Sequence, residues 1–125
     1  MWSAALRWVP AALYAANLWL LSSRPGRGPL PVNAYVLHFF GYGAFGALIW
    51  AGLAAPGRSG MRTALLAAAL AGAYGVIDEV HQSFVPGRSA DPLDAAADLA
   101  GAGIATAGMS VVLRPRAVRP GAAIE

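Results

Sequence analysis

Apolar residues gather along this chain in four stretches, each near the length a helix needs to cross a bilayer: about 20 residues at 1.5 Å each for a hydrocarbon core of roughly 30 Å. They fall at about residues 4–21, 34–55, 63–82 and 93–113. The first is interrupted by Arg7, Pro10 and Asn17; the third is an Ala/Leu/Gly block that runs into Asp78, Glu79, His81 and Gln82. In none of them do polar residues recur every three or four positions, the pattern that a helix of a soluble bundle needs for its wet face. The linking segments 22–33, 56–62 and 83–92 carry Pro and Gly, the residues that punctuate helices with turns. From Arg114 the sequence is too polar and proline-broken to extend a span. The pattern predicts an all-α polytopic membrane protein, a four-transmembrane-helix bundle forming one domain over residues 1–125, with 114–125 as a polar tail. The first stretch can also be read as a signal peptide with Arg7 as its basic region. No A-x-A-like cleavage site precedes residues 22–27, so it is read as a retained span.

Composition agrees. Hydrophobic residues make up 58% of the chain and charged residues 12%, with a mean hydropathy of +0.54, against about a quarter charged in soluble domains. Lysine is absent, so all nine basic residues are arginine. The net charge of +3 and pI near 10 raise nucleic acid as a partner. However, the arginines sit at the ends of apolar runs, where membrane proteins keep them, and form no single basic face. No nucleic-acid partner is expected. With no cysteine, disulfides, thiolate metal sites and cysteine nucleophiles are excluded.

Arginine placement also orients the bundle, since positive loops stay cytoplasmic. With four spans, Arg7, Arg58, Arg62, Arg114, Arg116 and Arg119 fall on one side and Arg24, Arg27 and Arg88 on the other. Six against three puts both termini, and the tail, in the cytoplasm.

The acidic residues then gather on the outer side. Asp78, Glu79, Asp91, Asp94 and Asp98, five of the six, lie between the end of span three and the start of span four. The first turns of span two bring His38 and Tyr42 to the same level. Charge at membrane depth is costly and persists mainly where it is paired or functional. His38 and Tyr42 share a helix face, as do Asp78 and Gln82, and Asp91, Asp94 and Asp98 share a stripe. Arg88 lies between them as the expected counter-charge, able to grip two carboxylates or a phosphate bidentately. Plainer readings stand beside these. His38 can be a helix-end histidine bonded to a carbonyl. Asp78, Glu79 and Gln82 can be a helix end meeting water, and Arg88 with Asp94 can be a clamp on the third loop. His81 and Asp91 read as loop-exposed. Gly41, Gly43, Gly46, Gly72, Gly75, Gly101 and Gly108 read as close-packing positions between spans. His38, Glu79 and Asp94 also offer a facial oxygen–nitrogen metal site, but their spacing matches no ligand motif, so neither metal nor cofactor is assigned.

Asp78-Glu79-Val80-His81-Gln82-Ser83-Phe84-Val85-Pro86-Gly87-Arg88, with Asp94 six residues later, resembles the signature of VanZ-like membrane proteins. His38-Phe39-Phe40-Gly41-Tyr42 resembles that family's first motif, and Gly101 fits the glycine that follows in span four. The likeness covers residues 34–104. Three positions depart from it: Ala34-Tyr35 stands where the family has an acidic–basic pair, Asp98 where it has asparagine, and Ala105 near where it has glycine. The resemblance implies a bacterial, multi-pass cell-membrane protein of four spans, in a family whose namesake raises resistance to the glycopeptide teicoplanin.

The leading functional expectation is an outward-facing polar site that binds or modifies a lipid-linked or cell-envelope head group. His38, Asp78, Glu79 and Asp94 are its candidate acid/base residues; Tyr42, Gln82, Arg88 and Asp98 are its candidate ligand-binding residues. Membrane lipids are the expected partners, and an oligomer is compatible with the small size. Whether a reaction is catalysed stays open, because a non-enzymatic binding or regulatory protein and a small proton-coupled transporter fit the same residues.

Overall fold

The computed structural model describes residues 3–29, 32–54 and 59–113. A 3₁₀ turn at Leu6–Trp8 leads into α1 (Val9–Ser22), followed by α2 (Ala34–Leu53), α3 (Met61–Gln82) and α4 (Pro92–Val112). Helix starts follow local chemistry. The Asn33 side chain accepts from the Tyr35 amide at 2.8 Å. The Asp91 side chain accepts from the Leu93 amide at 2.9 Å, with Pro92 as the first helical residue, a position that needs no donor.

Among the described residues three helices, α2, α3 and α4, are long and apolar enough to cross a membrane. The first expected span is not of that kind. Regular helix begins only at Val9, beside Pro10, which has no amide hydrogen. The 14 residues of α1 rise about 21 Å, short of a hydrocarbon core of roughly 30 Å.

The missing polar stripe is explained by what faces inward. Large apolar side chains such as Leu65, Val76, Ile77, Val80, Ile104 and Val111 are exposed, while Ala67, Ala71, Ala102, Thr106 and Ser110 are buried. Small residues let backbones approach, the packing that serves between helices in lipid. Helices α2 and α4 form the most extensive contact. There Gly43 faces the Gly101 carbonyl and Gly46 faces Ala102; a Cβ on Gly101 would run into the Phe39 carbonyl. Gly72 and Gly75 are similarly occupied, by Leu99 and Asp98, whereas Gly41 and Gly108 face open space and are not packing positions.

Helix α1 packs Ala11, Tyr14, Ala15 and Leu18 on the core and is also fastened by polar contacts. Tyr14 Oη donates to the Gly41 carbonyl at 3.1 Å and Tyr74 Oη to the Ala15 carbonyl at 2.7 Å. Arg7 Nη1 reaches the Ala54 carbonyl at 2.6 Å. At the far end the loops after α1 and α3 are laced together: the Gly26 amide donates to the Pro86 carbonyl at 3.1 Å. Gly87 takes a left-handed φ of +73°, a conformation glycine adopts without penalty, and packs directly on Gly26. Four residues in the arginine count, Arg58, Arg114, Arg116 and Arg119, and the whole tail lie outside the described residues.

Candidate functional site

The C-terminal ends of α1 and α3 and the N-terminal ends of α2 and α4 meet at one end of the bundle. His38 and Asp78 each lie four residues inside their helices and Asp98 six inside, about 6–9 Å below the helix ends. Their polar groups therefore sit within the helices, about two turns or less from their ends.

Two linked clusters form there. In the first, His38 Nδ1 donates to Asp98 Oδ1 at 2.8 Å, and His38 Nε2 lies 3.5 Å from Asp94 Oδ2. Glu79 closes the group: its carboxylate, His38 and Asp94 each bring one potential ligand atom within 4.8 Å of the other two. Because an ionised carboxylate only accepts, Asp98 fixes the His38 proton on Nδ1 and leaves Nε2 toward Asp94 and Glu79. Gly75 makes this possible, since a Cβ there would lie 2.6 Å from Asp98 Oδ2. Asp94 Oδ1 and Asp98 Oδ2 are buried without a hydrogen-bond partner. Glu79 is held by the Asp91 amide, which donates to its Oε2 at 2.8 Å.

The second cluster surrounds Asp78. Ser22 Oγ donates to its Oδ1 at 2.5 Å; Tyr42 Oη, at 3.5 Å, and Gln82 Nε2, at 3.2 Å, approach its Oδ2. Asp78 thus ties α1, α2 and α3 together. Gln82 also reaches Glu79 Oε1 at 3.4 Å and joins the two clusters. Asp78, Glu79, Gln82, Asp98 and Tyr42 are all buried.

Arg88 does not act as the expected counter-charge. Its Nε donates to the Arg24 carbonyl at 2.6 Å, Nη2 to the Leu21 carbonyl at 3.2 Å and Nη1 to Gln82 Oε1 at 3.4 Å. Among the described residues it pairs with no carboxylate, since carbonyls at the end of α1 and just after it occupy its fork. His81 and Asp91 are likewise not free in a loop. His81 belongs to α3, stacks on Trp19 with ring centroids 3.9 Å apart and pairs with Ser23 Oγ at 2.9 Å. Asp91 caps α4 and accepts from Tyr35 Oη at 3.1 Å. Ser22 and Tyr35 are members that spacing alone misses. Ser22 gives little signal, lying where an apolar run meets a loop; Tyr35 stands one residue into α2, beside the helix cap.

An open apolar groove of about 280 Å³, lined by Trp8, Ala11, Phe45, Ile49, Leu70 and Tyr74 among others, contains no ionisable carboxylate or imidazole and does not include the polar clusters.

The family model described as VanZ/LLP1 matches residues 6–113. No curated protein and no solved structure gives a match. With most of its length covered, the chain belongs to the VanZ/LLP1 family.

Proposed function

We propose that this VanZ/LLP1 membrane protein binds a lipid-linked or cell-envelope head group at the His38–Glu79–Asp94 cluster. In the proposed topology the cluster faces outward, both termini are cytoplasmic and the cell is bacterial. The carrying observation is the pair of bonds that define His38: Nδ1 locked on buried Asp98 at 2.8 Å and Nε2 turned toward Asp94 at 3.5 Å. A carboxylate behind an imidazole orients it and supports a positive charge on it, the arrangement used where a histidine moves a proton. Glu79 beside it supplies a second proton-accepting group. If the head group is modified, His38 and Glu79 are the acid/base pair, with Asp98 as positioning residue and Asp94 completing the wall. Asp78, Tyr42 and Gln82 form the buried floor that keeps Glu79 in place.

A lipid-linked substrate reaches such a site by lateral diffusion, so a cluster about 6–9 Å below the helix ends suits it. Resistance to glycopeptides such as teicoplanin is the cellular phenotype proposed for this binding. The test compares wild type with Glu79→Gln in a susceptible bacterium and in purified form. Glu79→Gln keeps the size of the side chain and one of its acceptor oxygens, so stability should move by less than about 1 kcal/mol. Teicoplanin susceptibility should return, and lipid co-purifying in native mass spectrometry should be lost. Unchanged susceptibility and lipid binding in a folded Glu79→Gln protein would make the cluster scaffold. Turnover of the co-purifying lipid separates enzyme from binder.

A further inference from the structure

We infer that His38 Nε2, Glu79 and Asp94 form a binding site for a divalent transition-metal ion of the Zn²⁺ class, with Asp98 as the second-shell carboxylate. This deepens the proposed reading of the cluster as a ligand site and rests on it, with His38 and Glu79 acting as ligands in place of an acid/base pair.

Geometry is the first support. The three donor atoms lie within 4.8 Å of one another, and they come from three different helices. Nε2 and Asp94 Oδ2 are 3.5 Å apart. Bonds of about 2.0–2.1 Å to a tetrahedral ion place neighbouring ligands roughly 3.3–3.4 Å apart, so this edge already has nearly the required length. One imidazole and two carboxylates leave a fourth position open, as in sites where a metal binds water or substrate rather than bracing a fold.

The second support is the histidine's tautomer. Metal-bound histidines nearly always donate their other ring N–H to a carboxylate or carbonyl, which fixes the lone pair on the coordinating nitrogen. Asp98 does this for His38 at 2.8 Å while itself fully buried. Without a metal ion, Nε2 can face Asp94 and Glu79 favourably only by carrying a second proton, and a bound cation takes the place of that proton.

Charge is the third and independent support. Glu79, Asp94 and Asp98 face one imidazole, and none is paired with an arginine among the described residues. Arg88 gives its donors to two carbonyls and Gln82. Asp94 Oδ1 is buried and has no hydrogen-bond partner. At membrane depth an uncompensated cluster of carboxylates is strongly disfavoured, and a divalent cation compensates it where a single proton does not. Imidazole favours Zn²⁺ and the later transition metals over Mg²⁺, Ca²⁺ and Mn²⁺, which prefer oxygen-rich shells. The open position would then receive an oxygen of an anionic head group, and the site needs no arginine to hold it.

The experiment is titration of the full-length, chelator-treated protein in detergent with Zn²⁺ alone, by calorimetry, and with Co²⁺ as a visible reporter of coordination. We expect one ion per chain and a tetrahedral Co²⁺ d–d band. Glu79→Gln and Asp94→Asn should each weaken Zn²⁺ binding at least 30-fold, on the order of a direct ligand's loss, and Asp98→Asn about 10–100-fold. His81→Ala, which removes the other histidine, should leave it unchanged. Circular dichroism and gel filtration report folding; if one carboxylate variant fails to fold, the other and the Co²⁺ band still decide. Absence of saturable Zn²⁺ binding overturns the inference, as does binding that survives both Glu79→Gln and Asp94→Asn. Native mass spectrometry of co-purifying lipid, with and without Zn²⁺, tests the head-group reading separately. Zn²⁺ binding with no lipid in either state would refute that reading and leave the metal site standing.

Discussion

Replacing Gly101 with alanine should cost about 2–4 kcal/mol, although alanine is the better helix former. The added Cβ would meet the Phe39 carbonyl, with the carbonyl carbon at 2.7 Å and Phe39 Cα at 3.0 Å. These are backbone atoms of α2, so no side chain can rotate away. The carbonyl oxygen lies nearer still, so the helices must part by more than the roughly 0.7 Å between 2.7 Å and the 3.4 Å at which ordinary contact begins, in an interior that compresses little. Overpacking of this kind costs about 1–3 kcal/mol. The same displacement takes the His38–Asp98 bond from 2.8 Å to at least about 3.5 Å, where little of it survives. A hydrogen bond between charged groups contributes about 1.5–3 kcal/mol, and alanine's propensity returns at most about 1 kcal/mol. Gly103 is the control: its Cβ position has nothing within 4 Å, so Gly103→Ala should be neutral or stabilising by up to about 1 kcal/mol. Unfolding by sodium dodecyl sulfate in mixed micelles, followed by tryptophan fluorescence, measures both variants. Equal stability of Gly101→Ala and Gly103→Ala would refute the claim that this close approach sets the spacing of the site.

Other consequences can be checked as directly. Arg27→Cys and Ser89→Cys should react with an impermeant thiol reagent added outside intact cells, while Ser59→Cys and Ala117→Cys stay protected; the reverse pattern would turn the site toward the cytoplasm. Arg88→Lys keeps the charge but cannot reach the Leu21 and Arg24 carbonyls and Gln82 at once, so it should lower the detergent melting temperature. A wild-type melting temperature would show that this fork carries no structural load. Ser22→Ala leaves buried Asp78 without its 2.5 Å donor and should cost about 1–3 kcal/mol, read by the same unfolding titration.

Much of the helical layout was legible in the chain because apolar length is a local property: α2, α3 and α4 lie where their uninterrupted runs predict. The grouping of His38, Glu79 and Asp94 was legible for a similar reason, since short loops return successive helices to the same level. The short α1 was harder to see. Hydropathy counts Ala4, Ala5 and Leu6 as helical material, whereas backbone geometry around Pro10 delays the regular helix to Val9. Arg88 departs from its expected role because a guanidinium is recognised in sequence by its charge, and here its hydrogen-bonding shape matters more: the backbone carbonyls of Leu21, in the last turn of α1, and of Arg24, just after it, fill the fork. Nothing in local pattern reveals which carbonyls those will be. Likewise, the stacking of His81 on Trp19 depends on how α1 lies against α3, a packing outcome that spacing within α3 does not encode.

The seam between the two loops also bears on how the protein is made. Helix α1 is fastened at its C-terminal end by Arg88, by the Gly26–Pro86 bond and by Asp78, all supplied by chain that follows more than fifty residues later. When the first two helices have left the ribosome, none of these partners has emerged. Only the earlier contacts to α2, such as Tyr14 to Gly41, can hold α1 then. The short helix therefore acquires its final position after α3 and the Pro86–Arg88 turn have emerged, so maturation runs backward along the chain. A defect at Arg88 should accordingly expose α1 to quality-control proteolysis in newly made protein, even where the mature bundle tolerates the change.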